Sequence, residues 1–409
     1  MMRIEFAHLY VEKYSRHSRE LILDFIQEAE FIFFRNHGDY LPEMHLSTER
    51  FEPTMLLIHD CVPARRIKEG TMLIVSMDAL MRLSHAAWRA NNDYKESIQY
   101  QSGMVYEEIY NGADFAALID SDKTVITNSI PENLYYHLTP TWGGSPCALD
   151  ALQGNYELRI WDVGQGSTNS VSDQENLTLF DFGASIHYSK LRRGTIVNQH
   201  ASLFADKKRI SLIISHWDCD HINLLCEVDN CFLENICCVF YPPGIVSMTA
   251  KQIAARMAIY CRYRVEVLPK PRRIRHKCGI QRVDSGKGYI LYTGEKSESP
   301  NQSGLLLTLS STNSAALLTA DHTNYQVWDV AFNDARVHNK RLHIVVPHHG
   351  GYCGRTAVQS VANPGKAVIS TGSNPYGHPL QTTLTAYRCA GYAILQTDII
   401  GDDIVIPMR

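Results

Sequence analysis

The sequence lacks any apolar run near the ~18 residues a membrane-spanning helix needs, which argues against a transmembrane protein. It has 11 cysteines but no Cys-x-x-Cys pair. That excludes the usual zinc-knuckle and dithiol redox spacings. The cluster Cys219, Cys226, Cys231, Cys237 and Cys238 reads as buried small hydrophobes. Residues 1–19 mix charged with apolar side chains and lack the apolar core of a signal peptide. With an odd cysteine count, this predicts a cytoplasmic, reduced chain. Neither sign of charge dominates: Lys plus Arg is 39, Asp plus Glu is 43, and the net charge is −4. A bulk polycation that coats nucleic acid is thereby excluded, although a local basic groove is not. There is no internal repeat or low-complexity tract. At 45% hydrophobic and 20% charged residues, the chain is not disordered, collagen-like or a coiled coil.

What is present is organised in two parts. A chain of 409 residues allows two to four domains at ~100–200 residues each. The texture changes near residue 150, after a Pro/Gly-rich connector at Thr139–Gly154. We therefore expect an N-terminal α/β extension domain over 1–150, of unknown role, and a catalytic domain over 151–409. In the first, Ser18–Phe34 reads as a helix capped by Ser18, Asp78–Asn91 as a second helix, and Met55–Ile58 and Thr71–Ser76 as strands. In the second, Tyr156–Val163 and Leu177–Phe182 alternate like a strand pair. Arg209–Ser215, Ile236–Tyr241, His343–Pro347, Ala367–Thr371, Ala393–Thr397 and Asp403–Ile406 are further strands. Ala250–Tyr263 is helical, and Leu305–Ser310 with Ala315–Ala320 forms a hairpin around Thr312-Asn313. Strands with helices between and around them indicate a layered α/β domain.

The sharpest chemical signal follows the Arg209–Ser215 strand. Within Ser215-His216-Trp217-Asp218-Cys219-Asp220-His221, four potential metal ligands fall in six residues. Imidazole with carboxylate suits zinc, manganese or iron. Adjacent side chains diverge, so a natural split puts His216 and Asp218 on one ion and Asp220 and His221 on another. The plain alternative is a polar surface loop with helix-capping aspartates. Three more sites share the strand-end context: Asp321 after Ala315–Ala320, His348-His349 after Ile344–Pro347, and His378 in Asn374-Pro375-Tyr376-Gly377-His378-Pro379. A lone strand-end histidine is more often structural than functional. Packing poorly explains all of them together.

These residues resemble the metallo-β-lactamase fold, and more narrowly the soluble metallo-β-lactamase-like domain of ComEC-type competence proteins. The matching segments are Asp162-Val163-Gly164-Gln165-Gly166, Leu179–Gly183, Ser215–His221, Asn301-Gln302-Ser303, Leu317–Asp321, Pro347–Gly350 and Tyr376–Pro379, with Gln396-Thr397-Asp398 after them. The resemblance covers roughly 156–409. It implies a four-layer αββα sandwich with the site along one edge and two divalent ions, zinc or manganese. It implies His216, Asp218, Asp220 and His221 as metal ligands and Asp321 as a bridge. One of His348 and His349 is a ligand, with His348, nearer the strand end, favoured. Asp162 and Asp181 fall in early motifs and are expected to orient the ligand loop. Asn301 stands where many metallo-β-lactamases carry a third histidine. His378 is the candidate for binding substrate phosphate or donating a proton. Departures from the pattern are Ser167 in place of an acid, Ala320 in place of glycine, and Asn223 and Leu224 in place of glycines. The membrane channel of ComEC is missing, so a DNA-uptake role is not implied.

Together these readings predict a metal-dependent hydrolase. The first choice is a phosphodiesterase or nuclease acting on DNA through a water activated between two ions. Asp220 would orient the attacking hydroxide and His378 would help neutralise the transition state. Seven cations fall between Arg262 and Lys277, with Glu266 the only acid there. Arg272, Arg273 and Arg275 in that stretch either line a path for a phosphate backbone or belong to a solvated loop. Tyr260, Tyr263, Tyr289 and Tyr292 either stack on bases or are partly buried residues of strands and helices. One alternative is a hydrolase of small molecules such as cyclic nucleotides, lactones or phosphorylated metabolites. Another is an effector subunit of a multi-protein system, such as phage defence, with 1–150 binding a protein partner.

Overall fold

The computed structural model describes residues 4–35, 54–90, 105–109, 112–127, 130–138, 140, 155–205, 207–269, 279–286, 288–297, 300–337, 339–372 and 377–409. The boundary expected near residue 150 lies outside them. The chain divides into two compact units. One comprises residues 1–137, 189–192 and 245–255, and the other 138–188, 193–244 and 256–409.

The first unit is built on a mixed six-stranded sheet. Its strands are β1 (Phe6–Ser15), β2 (Glu20–Phe25), β3 (Thr54–Ile58), β4 (Met72–Ser76), β5 (Val105–Ile109) and β6 (Val125–Thr127), in the order β5-β3-β2-β1-β4-β6. Alternation along β1 turns Ala7, Leu9 and Val11 to one face, where they meet Phe31, Phe34, Leu80, Phe115 and Ile119 of three helices. Tyr10 and Met72 cover the other face with Ile26 and Val246.

The helix expected at Ser18–Phe34 is corrected. Residues 20–25 are β2, and only Glu28–Arg35 is helical. Arg19 has φ 59°, which ends any helix there. As a central strand, β2 buries Leu21, Ile22, Leu23 and Phe25 on both of its faces. Such a continuous apolar run does not by itself separate strand from helix. The strands at Thr54–Ile58 and Met72–Ser76 and the helix at Met77–Ala90 lie within a residue of expectation.

The second unit holds two seven-stranded sheets. The first comprises β7 (Tyr156–Ile160), β8 (Thr168–Ser172), β9 (Asn176–Phe182), β10 (Arg209–Ile213), β11 (Ile236–Tyr241), β12 (Tyr263–Glu266) and the C-terminal strand Ile404–Met408. The second comprises β13 (Ile280–Gly286), β14 (Tyr289–Gly294), β15 (Leu305–Ser310), β16 (Ser314–Leu318), β17 (Arg341–Val345), β18 (Pro364–Ile369) and β19 (Ala393–Gln396), in that order. The C-terminal strand, β20, closes the first sheet in the order β12-β11-β10-β9-β8-β7-β20.

The inner faces form one core. Leu158, Ile160, Phe180, Ile213 and Phe240 meet Leu305, Leu307, Leu309, Leu318 and Val368 across it. At about 1.5–3 kcal/mol per fully buried large apolar side chain, this layer holds the sheets face to face. Outside the second sheet, Val327, Trp328, Leu384 and Tyr387 of two helices cover Leu317 and Ile344. Outside the first, Phe232 stacks against Phe182 and Phe204 meets it edge-on. The domain is therefore a four-layer αββα sandwich.

One pairing differs from expectation. The strands at 156 and 177 are not partners, because β8 lies between them. Its sequence Thr-Asn-Ser-Val-Ser carries little apolar signal, yet Thr168, Asn169 and Ser170 are buried. Ser170 satisfies the Trp161 indole, which donates to it at 2.9 Å. The β15–β16 hairpin is as expected. Among the described residues, no helix is long and apolar enough to cross a membrane.

Candidate metal centre

Strands β9 to β12 run parallel, and so do β16 to β19. Their carboxyl ends therefore open at one edge of the sandwich, the usual place for a site in α/β folds. After β10, Ile214 donates to Phe240 O, the chain turns at His216–Asp218, and Cys219–Ile222 forms one helical turn. All of 214–222 is buried. Asp321 follows β16 across Ala320, whose φ is 45°. His348 and His349 follow β17 with φ of 51° and 50°. A left-handed φ in a non-glycine residue costs of order 1–3 kcal/mol. The surrounding bonds hold it here: His348 N donates to Ala320 O, and Gly351 N to His348 O.

These segments bring the expected residues together. His216 Nε2 lies 3.3 Å from Asp218 Oδ2 and 3.9 Å from Asp321 Oδ2. His221 Nε2 lies 3.4 Å from Asp321 Oδ1. His349 Nε2 lies 3.6 Å from Asp220 Oδ2. Among the described residues, two groups have ligand atoms within 4.8 Å of one another: His216, His221 and Asp321, and Asp220, His221 and His349. Each is fully buried.

The donor set fits divalent cations. The Nε2 atoms of His216, His221 and His349 are buried and make no hydrogen bond. Two of the rings donate their other nitrogen to a fixed acceptor: His221 Nδ1 to Asp181 Oδ2 at 2.8 Å, and His349 Nδ1 to Ser370 O at 3.0 Å. A neutral imidazole bonded in this way presents a bare Nε2, as a metal ligand must.

The charges follow from the same geometry. Burial would raise the Asp321 carboxyl, yet the imidazoles of His348, His221 and His216 hold it well below the usual range. Burial would lower His221, but with no cation in place Asp181 and Asp321 hold it well above the ordinary imidazole value, so a cation that takes Nε2 must displace a proton from it. His322, beside Asp321, is driven down to about 4 by burial.

Of the adjacent pair, it is His349 that enters the buried group, whereas His348 was favoured on sequence. His348 remains 20% exposed, with Nδ1 3.6 Å from Asp321 Oδ2 and its ring 5.5 Å from that of His378. Left-handed turns at both residues rotate the second ring inward, which counting from the strand end does not reveal. His378 is half-buried and lies 3.3 Å from Gln165 Nε2. Gly351 allows that approach: a Cβ there would come within 2.5 Å of the His378 ring. Asn301 donates from Nδ2 to Asp321 Oδ2 at 3.3 Å. Asp181 braces the start of the 215–221 loop, accepting from Ser215 N at 2.7 Å and Ser215 Oγ at 2.9 Å. Asp162 donates its backbone N–H to Asp403. Arg272, Arg273 and Arg275 lie outside the described residues. Gln165, Ser215 and Ser370 were not singled out as site residues, because single polar side chains carry no spacing signal.

Neither a protein-family model nor a curated protein sequence matches this chain. Solved structures do. A metal-dependent hydrolase of the β-lactamase superfamily is 13% identical, with 61% of this chain and 98% of that one covered and a TM-score of 0.34. The metallo-β-lactamase fold protein YhfI from Bacillus subtilis is 11% identical over 62% of this chain and all of its own, with a TM-score of 0.36. The short form of human tRNase Z is 8% identical over 47% of this chain and 77% of its own, with a TM-score of 0.31.

Proposed function

We propose that this chain is a metal-dependent hydrolase of the metallo-β-lactamase fold, and that its substrate is a phosphodiester, DNA in the first instance. One observation carries the reading: three buried imidazole Nε2 atoms without hydrogen bonds converge on carboxylates at the ends of parallel strands. His216, Asp218 and Asp321 would hold one divalent ion, and Asp220, His221, His349 and Asp321 a second. When bound, such a pair supplies an activated water and a clamp for charged oxygens.

The remaining roles fall to this chain's own side chains. Asp321 would serve both ions. Asp220 orients the attacking nucleophile. His378, steadied by Gln165, faces the substrate side beside His348 and delivers a proton to the leaving oxygen. Asn301 fixes the bridging carboxylate. The basic stretch Arg262–Lys277 favours a polyanionic substrate, with Arg272, Arg273 and Arg275 on phosphates. The finer likeness to ComEC-type domains rests on the seven ordered motifs. Residues 1–150 serve as a binding module for a protein partner.

The test is a hydrolysis screen of linear DNA, RNA and cyclic nucleotides with manganese or zinc. Cleavage of DNA that disappears on chelation supports the reading. Absence of nucleic-acid cleavage with every metal removes the nuclease.

A further inference from the structure

His216 differs from the other two buried imidazoles in what its Nδ1 meets. That atom lies 2.9 Å from Ser215 Oγ, a hydroxyl that can donate or accept. The surroundings decide which. Ser215 Oγ is also 2.9 Å from Asp181 Oδ2. A hydroxyl has one proton, and a carboxylate is its stronger acceptor. The Ser215 proton therefore goes to Asp181. His216 Nδ1 must then carry a proton of its own, because two lone pairs at this distance repel.

Asp181 is built for this role. It sits at the end of β9 with φ 60°, fully buried. It also accepts from Ser167 Oγ at 3.0 Å, from Ser215 N at 2.7 Å and from His221 Nδ1 at 2.8 Å. Ser215 is pinned from both sides, since its carbonyl accepts from Leu305 N of the opposite sheet. Gly304 permits that approach: a Cβ there would fall 2.6 Å from Ser215 O.

We propose that Ser215 is a positioning residue that passes the orientation set by Asp181 on to His216, so that one carboxylate prepares two metal ligands. His221 is prepared directly, and His216 through the serine hydroxyl. The inference deepens the two-ion reading above and rests on it for its consequence. Ser215 Oγ also lies 3.4 Å from His221 Nδ1, but Asp181 holds that nitrogen more closely at 2.8 Å, so loss of the hydroxyl falls mainly on the His216–Asp218–Asp321 position, whereas loss of the carboxylate affects both.

The experiment uses the full chain stripped of metal, titrated with zinc or manganese, and analysed for ions retained per chain. Wild type should hold two. Ser215→Ala should hold one firmly and bind the other 10–100-fold more weakly, the usual cost of removing such a support. Ser215→Thr should restore the second, and Asp181→Asn should weaken both. Nitrogen–proton correlation of the imidazoles in the metal-free wild type should place the neutral His216 proton on Nδ1. Two ions held by Ser215→Ala at wild-type affinity overturn the proposal, and so does a His216 proton on Nε2. Should Ser215→Ala fail to fold, the tautomer in wild type decides alone. A wild type that binds neither ion sinks the two-ion reading instead, and the tautomer still reports on Ser215.

Discussion

His349 Nε2 and Asp220 Oδ2 lie 3.6 Å apart at the ends of strands in different sheets, whereas His348 points to Asp321 from a partly exposed position. This separates two neighbouring residues by role. His349→Ala should lose an ion at the Asp220–His221 position, while His348→Ala should retain both and lose activity. Metal content after dialysis distinguishes them. Equal retention in the two variants would contradict the assignment.

Asp321 turns Oδ2 toward His216 and Oδ1 toward His221, the imidazoles assigned to the two proposed ions. Asp321→Ala should therefore release both ions and abolish hydrolysis. A chelator should lower the unfolding temperature of wild type, because a ligand at ~100 times its Kd stabilises by about 2.7 kcal/mol. The same chelator should leave the Asp321→Ala transition unmoved. Calorimetry with and without chelator checks both.

His378 makes no part of the buried groups but borders them through His348. His378→Ala should keep both ions and reduce kcat by about 10²–10⁴-fold, the range for loss of a general acid. Slow cleavage should recover with a substrate whose leaving group needs no protonation. Loss of metal in this variant would instead make His378 a ligand.

Asp24 offers a pH test away from the site. It is fully buried, and its Oδ2 accepts from Thr249 N at 2.9 Å near the start of the helix Met248–Tyr260. Burial raises its carboxyl to about 6 from 3.8, against the hydrogen bonds from Thr249. The folded chain thus holds a proton that the unfolded chain releases. Stability should fall as pH rises from about 4 to about 6, by up to about 3 kcal/mol. Asp24→Asn should flatten that part of the profile. Identical denaturation profiles for the two proteins across this window would show that Asp24 does not titrate this way.

If Arg272, Arg273 and Arg275 hold phosphates, replacing all three with Ala should raise KM for DNA with kcat little changed. The slope of log affinity against log salt should fall by about 2–3, near 0.9 per lost contact. An unchanged slope would return the stretch to a solvated loop.

Much of the candidate site was legible because the residues proposed as ligands cluster in the chain: His216, Asp218, Asp220 and His221 occupy one loop, and Asp321 and the His348-His349 pair each end an apolar strand. The layered α/β class followed from the same apolar runs. Polar β8 was not legible, because the neighbours of Thr168, Asn169 and Ser170, rather than their own hydrophobicity, make them a strand. Nor was β2, whose apolar residues face both ways.

By itself, the sequence determined which atoms were available: imidazoles and carboxylates at strand ends, with the Cys219 thiol between two of the carboxylates. Tertiary structure decided which of those atoms meet. The turn that carries His349 inward past His348, and the placing of Asp181 beneath both His221 and Ser215, arise from left-handed backbone and from contacts between distant strands. Such geometry depends on three-dimensional neighbours, and spacing along a chain does not encode them.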